Sequence, residues 1–257
     1  MICFMPLTST NRRLLSLISL LMLVLAWWGA SFLVADYELL PPPSLLGHNL
    51  YHEMLSGELW RHLSMTLYRV AWAFGLAMIF GVVLGFMMGR WVAVDAVLNV
   101  WMVVLLNLPA LLLIVLCYIW IGLNETAAII AVILNKVPLV ANMVRQGARE
   151  LSPKLADLSS AYNLSVCQRA RYIIAPQMFP YVISAARSGL AIIWKIVLVV
   201  EFLGRSNGIG FQIHLYFQLF DVAMVMSYAM SFIVVMIAIE YGVMRRLEVR
   251  ADRWKTP

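Results

Sequence analysis

Residues 150–180 read ELSPKLADLSSAYNLSVCQRARYIIAPQMFP and form the longest polar segment inside an otherwise apolar chain. This segment predicts two short helices. Ser152 can cap the first helix, with Pro153 at its first position, where a missing N–H costs nothing. Ser165 and Gln168 have the spacing of a capping box at the start of the second helix.

Asn163 separates the two predicted helices. After Gly, Asn is the residue that most readily adopts the left-handed conformation needed to end one helix and turn into the next. We therefore predict that residues 150–176 form a helical elbow, called the elbow below. Because it is polar and lies between two apolar spans, we expect a soluble partner to bind it.

The composition places the rest of the chain in a membrane. Hydrophobic residues make up 63% of the 257 residues and charged residues 12%, with a mean hydropathy of +0.87. A soluble domain has about twice that charged fraction. Crossing the hydrocarbon core takes about 20 apolar residues per helix. Runs of this kind predict six spans, at 14–35, 65–89, 97–121, 126–147, 177–203 and 221–244.

Basic residues predict the orientation of these spans. With a cytoplasmic N-terminus, the outer loops hold only Arg61 and Arg205. The inner loops and termini hold Arg12, Arg13, Arg90, Arg145, Arg149, Lys154, Arg169, Arg171, Arg245, Arg246, Arg250, Arg253 and Lys255. We therefore expect both termini in the cytoplasm. The net charge of +6 is the sum of this bias and does not indicate nucleic-acid binding.

Two spans carry features that predict how they pack. Small residues recur at every fourth place of the second span, at Ala73, Ala77, Gly81, Gly85 and Gly89. Such a stripe predicts close contact with another helix, although a flexible gate is the alternative. In the third span Pro109 follows Asn107 and predicts a kink, with Asn107 a candidate for lining a solute path.

Charged residues within the spans are candidates for function. A charge at the bilayer centre costs about 2.5 to 3.5 kcal/mol, so each needs a partner, a cavity or the interface. We expect Arg69 and Lys136 to snorkel or to pair. The fifth span holds the remaining candidates for a solute path, Arg187, Trp194, Lys195 and Glu201. Buried ion pairing with other helices is the alternative for this group.

The predicted outer loop, residues 36–60, contains three consecutive prolines at 41–43, which predict extended chain. His48, His52 and Glu53 have helical spacing, but no further ligand lies nearby, so we expect no metal site. The chain also lacks the GxxxxGK[ST] sequence that binds nucleotide phosphates, and residues 204–210 (GRSNGIG) predict a turn. Any ATP must therefore be hydrolysed by another subunit.

The elbow resembles the cytoplasmic EAA loop of ABC-importer permeases. The acidic residue, small residues, Gly, Ile and Pro of that loop correspond here to Asp157, Ala161, Asn163, Ile173 and Pro176. The chain departs from the family pattern with Asp157 in place of Glu, Leu158 and Ser159 in place of Ala, and Asn163 in place of Gly. The resemblance extends from about Gly57 to the C-terminus through GELWRHLSMTLYRV, Pro109, SAARSGL around Arg187, and VVEFLGRSNGIGF with Glu201, Gly208 and Gly210.

The similarity is to the nitrate, sulfonate and taurine group of permeases, and it carries several expectations. It implies an all-α polytopic membrane protein of the type I importer fold, with about six spans in one domain over 1–257. Within it, residues 1–60 would be the first span and external linker, and 61–250 the permease core. The ATPase-coupling residues would be Asp157, Ala161, Tyr162, Asn163, Leu164 and Pro176.

The expected partners are ABC ATPase subunits, a periplasmic or lipid-anchored solute-binding protein, a second permease copy, and the lipid of the bacterial inner membrane. The chain itself would bind no cofactor, with ATP and Mg on the ATPase, and its solute would be a small anion. An ion-coupled secondary transporter is the alternative, although it would need intramembrane acids beyond Glu201. No HExxH, GxSxG or paired carboxylates indicate an enzyme.

Overall fold

The computed structural model describes residues 9–244, and their side chains except at 9–14, 16, 17, 20, 243 and 244. This part of the chain is helical throughout and contains no strand. Its α-helices are α1 (Ser9–Val34), α2 (Pro43–Ser56), α3 (Glu58–Arg90), α4 (Val92–Asn107), α5 (Ala110–Ile121), α6 (Glu125–Arg149), α7 (Pro153–Ala161), α8 (Val166–Arg169), α9 (Ala175–Gly204), α10 (Ile209–Gln218) and α11 (Val222–Ile239). Two π-helical turns cover Ala170–Ile174 and Glu240–Met244.

Four stretches of the described chain are long and apolar enough to cross a membrane: Glu58–Arg90, Glu125–Arg149, Val166–Gly204 and Val222–Gly242. The bent pair of α4 and α5 makes a fifth if it counts as one span. These agree with five of the six predicted spans. For the first, predicted at 14–35, the apolar helix described by side chains is the shorter Leu21–Val34. The basic residues at 245–255, which the sequence places on the cytoplasmic side, lie outside the described residues.

The third predicted span is broken at Pro109. The axes of α4 and α5 differ by 100°. Pro109 has no N–H to continue the helix, and it forces Leu108 into an extended conformation, with φ −72° and ψ 128°. The predicted kink in the span over 97–121 is therefore confirmed, and it is a sharp corner.

Packing divides the chain into two units. One comprises the chain as far as Trp60 together with Ile213–Ser231, and the other comprises Arg61–Gln212 with the chain from Phe232 onward. In the first unit, the Ser31 hydroxyl donates to the Leu40 carbonyl at 2.7 Å, and Tyr228 donates to the Glu53 carboxylate. The second unit contains the elbow and all the charged residues discussed below.

In the second unit, α3 packs closely against α6. Ala73, Ala77, Gly81 and Gly85 are buried along one face of α3. A side chain on Gly81 would lie 2.6 Å from the Val140 Cβ, and one on Gly89 would lie 2.9 Å from the Arg145 carbonyl oxygen. The small residues therefore let the two helices approach to backbone contact, as predicted.

The predicted extended loop at 36–60 was wrong from Pro43 onward. There α2 begins, with Pro42 at its N-cap position and Pro43 in its first turn. Proline is favoured at this position because the first N–H groups of a helix have no intrahelical partner. Gly57 then ends the helix with a positive φ of 83°.

Candidate functional site

The elbow has the two predicted helical starts. Helix α7 begins at Pro153, and Asn163 adopts the left-handed conformation with φ +49° two residues after α7 ends. The Ser165 hydroxyl then accepts from the Gln168 N–H at 3.3 Å, and the Gln168 side chain accepts from the Ser165 N–H at 2.9 Å. The predicted turn and capping box are both confirmed.

Two details of the elbow differ from the prediction. Ser152 occupies the N-cap position of α7, but its side chain makes no capping hydrogen bond. Its N–H donates instead to the Gln177 side chain at 2.9 Å. The second predicted helix is also not short, because Val166–Gly204 forms one membrane-spanning stretch. The elbow is therefore joined to α9 without an intervening loop.

A π-helical turn makes that join. At its end, the Ala175 N–H bonds the Ala170 carbonyl, five residues back, and Pro176 follows in the first turn of α9. Pro176 cannot donate a hydrogen bond, so a normal α-helix would leave a carbonyl without its partner there. With the wider π-helical turn before Pro176, the helix continues from α8 into α9 without a break. Pro176 itself is half-buried.

One face of α7 exposes apolar side chains. Leu155, Leu158 and Tyr162 are 38%, 48% and 73% exposed. Their spacing of three and four residues places them on one stripe of the helix. Ser159, which follows Leu155 by four residues, is buried beside this stripe. Large apolar side chains grouped in this way on a polar segment indicate a surface for binding another protein.

The remaining expected coupling residues border this stripe. Asp157, Ala161 and Asn163 are exposed, and Leu164 is half-buried. The start of the elbow is joined to α9 by the Tyr181 hydroxyl, which donates a hydrogen bond to the Glu150 carboxylate. Four of the six expected coupling residues are therefore exposed, and Leu164 and Pro176 are half-buried.

The candidate solute-path residues do not form one cluster. On α9, Lys195 is exposed and has no hydrogen-bond or ion-pair partner among the residues that the structure describes. Arg187 is exposed on the same helix and donates to Glu240 at 3.0 Å. Trp194 is buried, with its ring 5.6 Å from that of Phe232. Asn107 is exposed at the end of α4.

Glu201, the last of these candidates, lies at the far end of α9 and is fully buried. Its carboxylate accepts from the Arg69 guanidinium at 2.6 Å, from the Thr66 hydroxyl at 2.9 Å and from the Gly210 N–H at 2.9 Å. Its partners therefore come from α3 and α10, as expected if the charge is paired between helices. Solute contact by this carboxylate would require these bonds to break.

Arg69 is the centre of this buried cluster. Its Nε and Nη2 donate to the Glu125 carboxylate at 2.8 and 2.7 Å, and Nη1 donates to Glu201 and to the Asn207 carbonyl. Nη2 also donates to the Asn207 side chain. A guanidinium has five N–H groups, so all five are used. The expectation that Arg69 pairs is confirmed.

A second arginine completes the charge balance. Arg205 donates to Glu125 at 2.5 Å and to the Leu123 carbonyl at 2.9 Å. The cluster of Arg69, Glu125, Glu201 and Arg205, called the four-charge cluster below, is therefore neutral in sum. A neutral group of paired, hydrogen-bonded charges is the form in which charges are tolerated in a protein interior, and among the described residues only the Arg205 Nε of this cluster is buried without a hydrogen-bond partner.

Glu201 and two side chains of α3 also cap the start of α10, a helix that the sequence did not predict. Three consecutive N–H groups of its first turn have side-chain acceptors: Gly208 donates to His62 Nδ1 at 3.0 Å, Ile209 to Thr66 at 2.9 Å, and Gly210 to Glu201. The first N–H groups of a helix have no intrahelical partner. Helices α3 and α9 thus cap α10 from outside.

The two glycines of this turn are required by its geometry. Gly208 has φ +111°, a conformation that side chains rarely adopt. A Cβ on Gly210 would lie 2.7 Å from the Glu201 Cβ. The backbone can therefore reach the carboxylate only because both positions lack a side chain. The predicted turn at 204–210 is confirmed, with α10 beginning inside it.

In residues 9–244, no group of three or more His, Cys, Asp or Glu side chains is arranged to hold a metal ion. His48 and His52 contact each other edge to face, with ring centroids 4.4 Å apart.

The second unit therefore combines a helical elbow, a broken membrane span and a buried charged cluster. Comparison with known proteins shows the class to which the chain belongs. The chain belongs to the family of binding-protein-dependent transport system inner membrane components, which matches residues 56–250. It is a permease component of an ABC importer.

Two relatives and one solved structure show the extent of the similarity. The taurine transport system permease protein TauC of Escherichia coli is 25% identical over 246 residues, covering 93% of this chain and 89% of TauC. The putative aliphatic sulfonates transport permease protein SsuC of Bacillus subtilis is 27% identical over 180 residues, covering 70% of this chain and 65% of SsuC. A crystal structure of an amino acid ABC transporter matches with TM-score 0.63 and 18% identity, covering 78% of this chain and 97% of that one. The last match supports the type I importer fold alone.

Proposed function

We propose that this permease works as a pair of copies in a bacterial inner membrane, with both termini in the cytoplasm, and imports a small organic anion such as a sulfonate. A solute-binding protein delivers the anion, and separate ATPase subunits, which hold ATP and Mg, dock on the elbow. The outward-facing stripe of Leu155, Leu158 and Tyr162 carries this proposal, because it gives a partner an apolar surface on an otherwise polar segment.

The elbow is suited to transmit movement. Its second half continues into α9, so a push on α7 reaches a helix that extends from Val166 to Gly204. At about 1.5 Å per residue this helix is on the order of 55 Å long. The buried end of α9 is fixed by Glu201, and the elbow end is exposed. Closure of the ATPases would therefore tilt α9 about its buried end.

Asn163 provides a direct test of the elbow. Replacing it by Val is expected to oppose the left-handed conformation by about 1 to 2 kcal/mol. The elbow would be displaced, and solute-stimulated ATP hydrolysis and uptake would fall together while the permease still inserts. Asn163→Gly is the matched control, since Gly adopts this conformation freely. Full coupling in Asn163→Val, measured in the reconstituted transporter, would contradict ATPase docking at the elbow.

The exposed side of α9 is the proposed wall of the solute path. Besides Arg187 and Lys195 it carries small or polar residues at Ser184, Ser188 and Ala191. Trp194 and Glu201 lie on the buried side of the same helix, so we assign them to packing. Because Lys195 has no partner among residues 9–244, its ammonium group is available to an anionic solute.

Replacing Lys195 by Ala is expected to lower uptake of an anionic solute about tenfold. Losing one charge-assisted hydrogen bond costs about 1.5 to 3 kcal/mol, and 1.4 kcal/mol is a factor of ten. The folded yield should stay constant because the side chain is exposed. Lys195→Arg keeps the charge and should retain most uptake. Unchanged uptake by the Ala variant at normal yield would remove Lys195 from the path.

Two measurements test the overall function. Affinity purification of the tagged permease should recover an ATPase subunit with a phosphate-binding loop. Uptake in vesicles should require ATP and the binding protein, and should persist when the proton and sodium gradients are collapsed. Uptake that instead follows a gradient without ATP would support the secondary-transporter alternative.

A further inference from the structure

An apolar groove lies where α3 ends and the span Val166–Gly204 begins. Its volume is about 810 Å³. Its walls are formed by Val82, Phe86, Ile174, Met178, Phe179 and Val182. Arg90, Trp91 and Arg169 also line it. The groove thus combines a hydrocarbon-like interior with two guanidinium groups.

The charged and apolar parts of the groove lie at different depths. Arg90 is the last residue of α3, and Arg169 lies three residues after the other span begins. From Arg90 back to Val82 is about 12 Å along the helix, and from Arg169 to Val182 about 20 Å. The two arginines therefore lie at the same membrane boundary, beside Trp91, and the apolar walls extend into the bilayer. Tryptophan is typical of this boundary.

Neither arginine is neutralised within the described chain. Arg90 and Arg169 form no hydrogen bond or ion pair with any residue of 9–244. The contrast with Arg145 is clear, since it pairs with Asp95 at 2.9 Å and with Asn99 at 2.7 Å. Two unpaired guanidinium groups at the mouth of one groove favour an anionic ligand group between them.

We propose that this groove binds an anionic phospholipid of the surrounding membrane. The phosphate lies between Arg90 and Arg169, and one acyl chain follows Phe86, Met178 and Val182 into the bilayer. A soluble anion would leave the apolar walls uncovered, and an apolar helix would leave the two charges buried without a partner. A basic groove between membrane helices is a known type of site for lipid headgroups.

The phosphate bound in the groove would also lie close to the start of α7, the first helix of the elbow. Arg90 and Arg169 line a second cavity of about 230 Å³, together with Ser152, Pro153 and Ala156 at the start of α7. A phosphate held by these arginines would connect the end of α3 to the start of the elbow. Lipid binding is therefore expected to slow hydrogen exchange in α7, independently of any ATPase.

The test is lipid retention by the purified permease, measured by native mass spectrometry. The probes are dioleoylphosphatidylglycerol and dioleoylphosphatidylcholine, which share acyl chains and differ in headgroup charge. Each surface arginine contributes about 1 kcal/mol to binding an anionic headgroup. The double variant Arg90→Gln with Arg169→Gln should therefore weaken phosphatidylglycerol binding about 25-fold, equivalent to about 2 kcal/mol at 1.4 kcal/mol per factor of ten.

Matched controls distinguish binding in the groove from the general effects of positive charge and of apolar surface. Arg171→Gln removes a charge at the same boundary outside the groove and should leave retention unchanged. Ala175→Trp fills the groove while keeping both arginines, and it should abolish lipid retention. Ala71→Trp, at an exposed position of α3 outside the groove, should not.

Four results would overturn the proposal. One is equal retention of the two lipids, and another is unchanged retention in the double arginine variant at normal thermal stability. The third is displacement of the lipid by millimolar inorganic phosphate, which would make the ligand a free anion. If the arginine variant instead loses dimers and no lipid, the groove holds a second copy and the lipid proposal fails.

Discussion

Replacing Glu201 by Ala is expected to destabilise the protein by about 3 to 5 kcal/mol, because the change leaves the buried cluster with one uncompensated positive charge. It also removes the acceptor for the Gly210 N–H and for the Thr66 hydroxyl. The variant should insert poorly and give little folded protein in detergent. Thermal unfolding and the monodisperse yield by size exclusion measure this effect.

Two variants distinguish the buried pair from other causes. Arg205→Gln removes a cluster charge whose partner, Glu125, is 34% exposed, so the loss should be much smaller. Arg69→Met combined with Glu201→Met removes both buried charges and should recover part of the stability lost in Glu201→Ala. A Glu201→Ala protein with normal yield and unfolding temperature would show that the cluster does not hold the fold.

Replacing Gly85 by Leu is expected to cost about 3 kcal/mol or more. A Cβ at this position would lie 2.9 Å from the Ala141 Cα, which is backbone and cannot rotate away. Overpacking costs about 1 to 3 kcal/mol where side chains can adjust, and here α3 and α6 must separate. The expected result is a large loss of folded yield.

The same helix provides the control. A Cβ on Gly75 would meet no atom within 4 Å, so Gly75→Leu adds the same side chain to α3 without a clash. Its folded yield should equal that of the parent or exceed it slightly, because Leu favours the helix more than Gly. Equal yields for the two variants would show that the small-residue stripe does not determine the α3–α6 packing.

The elbow could be predicted from sequence because its structure depends on neighbouring residues. The left-handed turn at Asn163 and the capping box at Ser165 involve backbone groups within three residues. The contact made by the stripe on α3 could also be predicted, since small residues at a fixed spacing in a membrane helix usually allow close approach of another helix. The pattern in α3 did not, however, identify α6 as the helix that packs against the stripe.

The four-charge cluster could be predicted only in part. Arg69 needed a partner on energetic grounds, but its two carboxylates lie on other helices, and nothing local identifies them. Helix α10 was missed for the same reason. Its first N–H groups are capped by His62 and Thr66, which precede it by more than 140 residues. Lys195 was predicted to line a solute path, and its side chain is exposed.

The order of the four charges along the chain has a consequence for synthesis. Arg69 emerges first, Glu125 follows 56 residues later, Glu201 comes 132 residues after Arg69, and Arg205 completes the set shortly afterwards. At about 5 to 20 residues per second, Arg69 waits on the order of 10 s for Glu201. The running sum over these four side chains is therefore +1, 0, −1 and 0, and it never exceeds one unit. The charges of this cluster are thus neutralised by one another nearly as fast as they are synthesised.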